Sequence, residues 1–294
     1  MKNISFNLSG KIDPLLSEVL SLVSREAAGL DIPFFIVGAM ARDIVLELCY
    51  KLPPRRATRD LDIGVEVAGW DEYKRLSQAL VSTGKFEGTE EPYVLMYGDF
   101  KVDIVPFGGL SPDQKTISWP PEHDVIMSIL GFKESYDMSL LIRIHDAPVL
   151  EVRVPTVAGM ALMKIISWND RYPERPKDAE DLLFLMDHYA SAGNEDRLYG
   201  HDVRFMEEEG FDIDLAAVRL LGYDMAVMAI EMTRDLVTGI LSGELNGDDD
   251  HHRLIRDMVG SSFAARERFD EIRGKLARLR QGFDEGMNEG DGCS

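Results

Sequence analysis

Residues 58–65, Thr-Arg-Asp-Leu-Asp-Ile-Gly-Val, constrain this chain more than any other stretch. Asp60 and Asp62 stand two apart at the head of an apolar run, with Leu61 and Ile63 on the alternate positions. A strand has period two, so the alternation predicts a half-buried strand with both carboxylates on one face, their Cα atoms ~6–7 Å apart. Two acids so spaced can share one divalent ion or bridge a pair of ions.

The flanking segments extend this pattern. Phe34-Phe35-Ile36-Val37-Gly38-Ala39-Met40-Ala41-Arg42-Asp43 reads as a buried strand turning into a helix. Such a turn is either an ordinary strand–helix connection or an anion site, with free backbone N–H groups at a positive dipole end. Arg42, one turn on, reaches the same anion or pairs with Asp43 or Glu47. Downstream, Asp103 lies between Val102 and Ile104-Val105, where solvation is limited, so its carboxylate calls for a partner or a metal. Three aspartates suit a hard cation such as Mg²⁺, which prefers oxygen ligands. A phosphate-sized turn, a D-x-D pair and a third strand aspartate together form a metal-dependent nucleotide constellation.

Around these pieces the sequence alternates helices and strands as far as Pro155. Asp13-Pro14 opens a helix as cap and first-turn proline, and the apolar spacing carries it to Gly29. Further elements are expected as a strand over 33–38, a helix over 39–50 and a strand over 60–67. A helix over Trp70 to Val81 and strands near 92–97 and 100–106 follow, the last two joined by a tight turn at Gly98-Asp99. Residues 107–125 read as loop, and 140–144 with 149–154 as a hairpin. This pattern indicates an α/β or α+β sheet domain. Beyond Pro155 helical periodicity dominates, over 156–169, 177–190, 195–209, 213–243 and 251–282. The expected division is a sheet domain over 1–155, a helical domain over 156–283, and a disordered Gly- and acid-rich tail over 284–294.

In the helical half, Met160, Lys164 and Trp168 recur every fourth residue, so Lys164 interrupts an apolar stripe, snorkelling or aimed at a pocket. Asp178 and Asp181 share a helix face within Lys177-Asp178-Ala179-Glu180-Asp181; this is either a helix N-terminus with favourable acids or part of a site. His251-His252 reads as a solvated loop. No G-x-S-x-G elbow or P-loop signature is present.

Charge narrows the partners. The formal net charge is −20, most of it in the helical half, and such a surface repels nucleic acid at long range. Any nucleic-acid contact is therefore local, and Arg55, Arg56 and Arg59 beside the D-x-D are the candidate patch. Two cysteines, Cys49 and Cys293, read as free thiols of a reducing compartment. With no apolar run of membrane-spanning length, a cytoplasmic protein with no membrane partner is expected.

The order of these pieces resembles nucleotidyltransferases of the polymerase-β-like superfamily, and within it the AbiEii/AbiGii toxin type that includes the MenT toxins. The matching residues are Val37-Gly38-Ala39 through Arg42-Asp43, Arg56-Ala57-Thr58-Arg59-Asp60-Leu61-Asp62, and Val102-Asp103-Ile104-Val105-Pro106-Phe107. Leu162-Met163-Lys164 and Arg171 through Lys177-Asp178-Ala179-Glu180-Asp181-Leu182 resemble the distal lysine and Lys-Asp pair. The likeness spans roughly residues 30–190. It implies an α+β fold, a mixed-sheet nucleotidyltransferase domain followed by an all-helical domain that contributes Lys164 and Asp178 to the active site.

The resemblance also implies roles. Asp60, Asp62 and Asp103 would hold Mg²⁺ or Mn²⁺ with a nucleoside triphosphate, Asp103 alternatively serving as general base. Gly38, Ala39, Arg42, Arg59, Lys164 and Arg171 would bind phosphates, and Asp178 would orient Lys164 or the acceptor. Superfamily members commonly carry Gly-Gly or Gly-Ser at the turn; Gly-Ala here lacks the hydroxyl and keeps the backbone donors. The expected reaction transfers a nucleoside monophosphate to an RNA, foremost a tRNA end, by a toxin with an antitoxin partner. The alternatives are transfer to a protein or small molecule, or a regulatory module that binds nucleotide without turnover.

Overall fold

The computed structural model describes residues 5–54, 58–111, 115–120, 126–247, 252–260 and 265–290. The chain divides into two compact units, Met1–Thr156 and Val157–Ser294.

In the first unit the strands are β1 (Ser5–Asn7), β2 (Phe34–Val37), β3 (Asp60–Val67), β4 (Glu87–Gly88), β5 (Val94–Tyr97), β6 (Phe100–Gly108), β7 (Thr116–Ser118), β8 (Ile126–Ser128), β9 (Leu140–Asp146) and β10 (Val149–Val154). The helices are α1 (Pro14–Gly29), α2 (Gly38–Asp43), α3 (Trp70–Ser82) and α4 (Phe132–Asp137). Asp13 caps α1 as its sequence predicts, its carboxylate accepting from the N–H groups of Leu15 and Leu16. Eight strands form one mixed sheet in the order β1-β9-β10-β2-β3-β6-β5-β4, while β7 and β8 pair separately. With its surrounding helices this is an α+β fold.

Two hairpins follow sequence expectation: β5–β6 turns through Gly98-Asp99 between Tyr97 and Phe100, and β9–β10 through Ala147-Pro148. Others differ. The 107–125 stretch includes β7 in its described part, and β1 was too short and polar to register as a strand; it pairs in parallel with β9. The helix after Gly38 changes at Ile44 to a π-helical stretch ending at Cys49. Cys49 is a free thiol that burial pushes up to about 11.

The second unit is helical: α5 (Val157–Asp170), α6 (Pro176–Asp187), α7 (Glu195–Leu198), α8 (Val203–Glu208), α9 (Ile213–Met228), α10 (Glu231–Asn246), α11 (Arg253–Val259) and α12 (Ala265–Gly290). The single helix expected over 213–243 is two, because Ala229 and Ile230 take extended backbone between α9 and α10. The 195–209 helix likewise breaks into α7 and α8. His252 is buried at the N-cap of α11, where its Nδ1 meets the Glu244 backbone carbonyl, so it is no solvated loop residue; His251 lies outside the described residues.

The largest correction concerns the tail. Residues 284–290, expected to be disordered, continue α12. Gly286 of that tail, together with Gly282 and Gly222, instead lets α12 and α9 meet backbone to backbone. A Cβ on Gly282 would lie 1.8 Å from the Arg219 carbonyl oxygen, one on Gly222 2.0 Å from that of Leu279, and one on Gly286 2.6 Å from that of Tyr223. The acids are partnered too. Buried Arg219 donates to Glu285 at 2.5 Å and Glu209 at 3.0 Å and also pairs with Glu208; Tyr223 donates to Glu289 at 2.6 Å.

This packing separates two glycines of one helix. Gly282→Ala is expected to destabilise the protein by about 1–3 kcal/mol through overpacking. Gly274→Ala, with nothing within 4 Å of the added Cβ, is expected to stabilise it by about 0.5–1 kcal/mol through helix propensity. Thermal denaturation of the two variants beside the parent protein checks both signs.

Candidate active site

The candidate site of the first unit is set by strand register. β2 runs antiparallel to β3 with Val37 opposite Asp62, and β6 runs parallel to β3 with Asp103 opposite Asp62 and Lys101 opposite Asp60. Period two then places Asp60, Asp62, Lys101 and Asp103 on one face of adjacent strands. The alternate residues Leu61, Ile63, Val102 and Ile104 are fully buried, which holds that register against slippage.

Farther along the acidic face, apolar groups take over. A Cβ on Gly64 would lie 2.4 Å from the Phe35 ring, which therefore lies over this strand position. Phe35 packs edge-on against Phe107, Phe132 and Tyr136 at centroid distances of 5.6, 6.2 and 5.7 Å. Aromatic rings thus cover one end of the face, and the carboxylates occupy the other.

The Gly38 turn abuts those carboxylates. Gly38 has φ +67°, and a Cβ there would lie 2.1 Å from Asp62 Oδ2. Both the left-handed backbone and the approach of the carboxylate demand glycine. Ala39 follows in α2, whose N-terminus has no side-chain cap. Arg42 is almost wholly buried; its Nε and Nη2 donate to Asp43 Oδ1 at 2.9 and 2.6 Å. Thr58 Oγ1 donates to Asp43 Oδ2 at 2.6 Å. Asp43 therefore ties the helix after the turn to the segment entering β3. Arg59 is exposed beside Asp60; Arg55 and Arg56 lie outside the described residues.

Asp103 is the most constrained acid. Lys101 Nζ donates to its Oδ2 at 2.9 Å, whereas Oδ1 is buried with no hydrogen-bond partner. Burial raises its pKa, Lys101 opposes that shift, and Asp60 and Glu91 add to it. Among the described residues no group of three or more His, Cys, Asp and Glu side chains is arranged to hold a metal. Lys101 is paired with one of the three carboxylates, Asp103. The donor chemistry nevertheless suits a hard cation: all-carboxylate, with one buried oxygen lacking a partner.

The second unit holds its own polar cluster. Lys164 on α5 donates to Asp178 Oδ1 at 2.6 Å and lies 2.9 Å from Asp181 Oδ2, both carboxylates on α6. Ser167 Oγ donates to the second Asp178 oxygen at 2.9 Å. Asp178 and Asp181 are buried, which requires the lysine between them. Arg171 lies just after α5 and is half-buried. Ser167, Asp181, Asp43, Thr58 and Lys101 were not singled out as site residues from sequence. Lys101 and Asp181 had readable signals, one two residues before Asp103 on its strand and the other three after Asp178 on its helix.

A glycine turn against a strand carboxylate, with a second acid in register alongside, is the arrangement that the sequence resemblance leads one to expect. The family model described as nucleotidyl transferase AbiEii toxin, type IV TA system, matches residues 21–275, which include every candidate residue named above. The chain belongs to this AbiEii family of nucleotidyltransferase toxins. No curated protein sequence matches the chain. Among solved structures, a nucleotidyltransferase-like protein of Paracoccidioides brasiliensis is similar at 17% identity over 69% of this chain and 91% of that one, TM-score 0.40. The antibiotic-resistance factor ANT(2'')-Ia is similar at 13% identity over 68% of this chain and 98% of that one, TM-score 0.36. A CCA-adding enzyme in complex with ATP is similar at 12% identity over 96% of this chain and 71% of that one, TM-score 0.32. Among the described residues no helix is long and apolar enough to cross a membrane.

The electrostatics of Asp103 generate a prediction. A carboxyl whose folded pKa is raised stabilises the fold when protonated, and that contribution is lost as pH rises through the folded pKa. At neutral pH the Asp103 charge therefore weighs against folding. Asp103→Asn in metal-free buffer is expected to raise Tm at pH 7, with the gain shrinking as pH falls from 7 into the acid range and Asp103 itself takes up its proton. Thermal denaturation across that pH range checks the sign.

Proposed function

We propose that this protein moves a nucleoside monophosphate from a nucleoside triphosphate to a hydroxyl on RNA, foremost a tRNA end, in a metal-dependent reaction, as the toxin of a toxin–antitoxin pair. The observation that carries the reading is the register of Asp62 with Asp103 beside the Gly38 turn, inside a chain of the AbiEii family. Asp60, Asp62 and Asp103 would hold Mg²⁺ or Mn²⁺, which supplies positive charge against the triphosphate and polarises the reacting phosphoryl group.

The chain's own residues do the remainder. Gly38 and Ala39 present backbone N–H groups to the phosphates, and Asp43 keeps Arg42 and the turn in place behind them. Exposed Arg59 meets the triphosphate beside Asp60. Asp103 either completes the metal site or takes the proton of the attacking hydroxyl, its Oδ1 buried and without a partner. The hydroxyl oxygen bonds to the α-phosphorus, the bond to the β-phosphate breaks, and pyrophosphate leaves. Positioning and charge neutralisation supply most of the acceleration. Lys164 and Arg171 are assigned to the phosphates, and Asp178 to holding Lys164, on the family resemblance together with the short Lys164–Asp178 pair.

The basic residues Arg55, Arg56 and Arg59 support an RNA acceptor reached through a local patch. The net charge of −20 favours a second reading, in which the acceptor is a cationic protein or small molecule. Both are tested by incubating the protein with Mg²⁺, each α-labelled nucleoside triphosphate, and total cellular RNA and protein. The expected result is label in a tRNA-sized band, abolished in Asp60→Ala/Asp62→Ala and reduced about 10²-fold in Lys164→Ala. Label confined to protein bands would refute the RNA acceptor. Absence of both label and pyrophosphate release would refute transfer to RNA or protein.

A further inference from the structure

Lys101 has no role in the reaction as proposed, yet it stands inside the acidic face. Strand register sets it opposite Asp60, and period two sets it on the same side as Asp103. It is the cation that meets Asp103, with Nζ 2.9 Å from Oδ2, and it also feels the charges of Asp62 and Glu91. The two partners differ in freedom. The Lys101 side chain is 41% exposed and the Asp103 side chain 17%, so the ammonium can swing into water while the carboxylate stays fixed.

Three carboxylates on adjacent strand positions repel one another, and a cation among them relieves that cost while leaving all three ionised. A lysine ammonium is a single, compact charge on a flexible stem, well suited to being outcompeted by a divalent ion. The second Asp103 oxygen stays buried and unpaired even with Lys101 in place, so the lysine satisfies this carboxylate only in part.

We infer that Lys101 is a displaceable counter-ion: it neutralises Asp103 in the metal-free protein and yields that carboxylate when a divalent cation enters. The inference rests on the metal-dependent reading above and adds a device that sets how much cation the site requires. Lys101 lowers the affinity for metal and guards the empty site against both self-repulsion and adventitious ions.

The test uses the full chain without nucleotide and reads Mn²⁺ binding by electron paramagnetic resonance, with Tm in EDTA and in excess Mg²⁺. Lys101→Met is expected to bind Mn²⁺ about tenfold more tightly than the parent protein. Lys74→Met, which removes the same charge from an exposed position of α3, is expected to leave the affinity unchanged. In EDTA the Tm of Lys101→Met is expected below that of the parent, with the gap closing in Mg²⁺. Unchanged or weaker Mn²⁺ binding by Lys101→Met would overturn the inference, as would an equal gain from Lys74→Met, which would reduce the effect to net charge. Parent protein whose Mn²⁺ binding is absent, or survives Asp60→Ala/Asp62→Ala, would overturn the metal reading and this inference with it.

Discussion

Parallel pairing of β3 with β6 is the constraint on which the candidate site depends. It brings Asp103, some forty residues downstream, beside Asp62, while the antiparallel β2 delivers Gly38 to the other side of the same carboxylate. The pairing is held by the face that carries no chemistry. Leu61, Ile63, Val102 and Ile104 are all buried, and a slip of one residue would turn them to the polar side. Packing on one face thus fixes the spacing of charges on the other.

That geometry has an electrostatic cost. Acids in register on neighbouring strands repel, and burial adds to the penalty at Asp103, whose pKa is raised despite its bond to Lys101. The second unit solves a similar problem in the opposite way, with one lysine shared between the two buried carboxylates of α6. In both clusters a flexible lysine meets fixed acids. The difference is exposure: the Lys101 side chain is far more open to water than that of Lys164, at 41% against 17%.

Much of this was legible in the chain because it is local. The D-x-D pair, the apolar flanks of Asp103 and the Gly38 turn each announce themselves within a few residues, and the structure brings all four residues together. The register itself was not legible, since parallel pairing is a non-local choice that no short window records. Arg42 illustrates a nearer limit: sequence allowed both a phosphate contact and a pair with Asp43, and burial of the guanidinium shows the pair. In the helical half, apolar periodicity ran unbroken through Ala229, so one helix was expected where the backbone extends and two form. The glycines near the C-terminus misled for a related reason. Composition suggests disorder over 284–294, whereas Gly286, like Gly282 just before it, lies where the α9 backbone packs against the helix, a fact about a distant partner.

The most direct test of the central claim is anomalous diffraction from crystals of the full chain grown with Mn²⁺ and a non-hydrolysable nucleoside triphosphate analogue. The account requires an anomalous peak among the carboxylates of Asp60, Asp62 and Asp103, with triphosphate density against Gly38 and Ala39. A peak elsewhere, or an intact Lys101–Asp103 pair with nucleotide bound and no metal beside it, would contradict it.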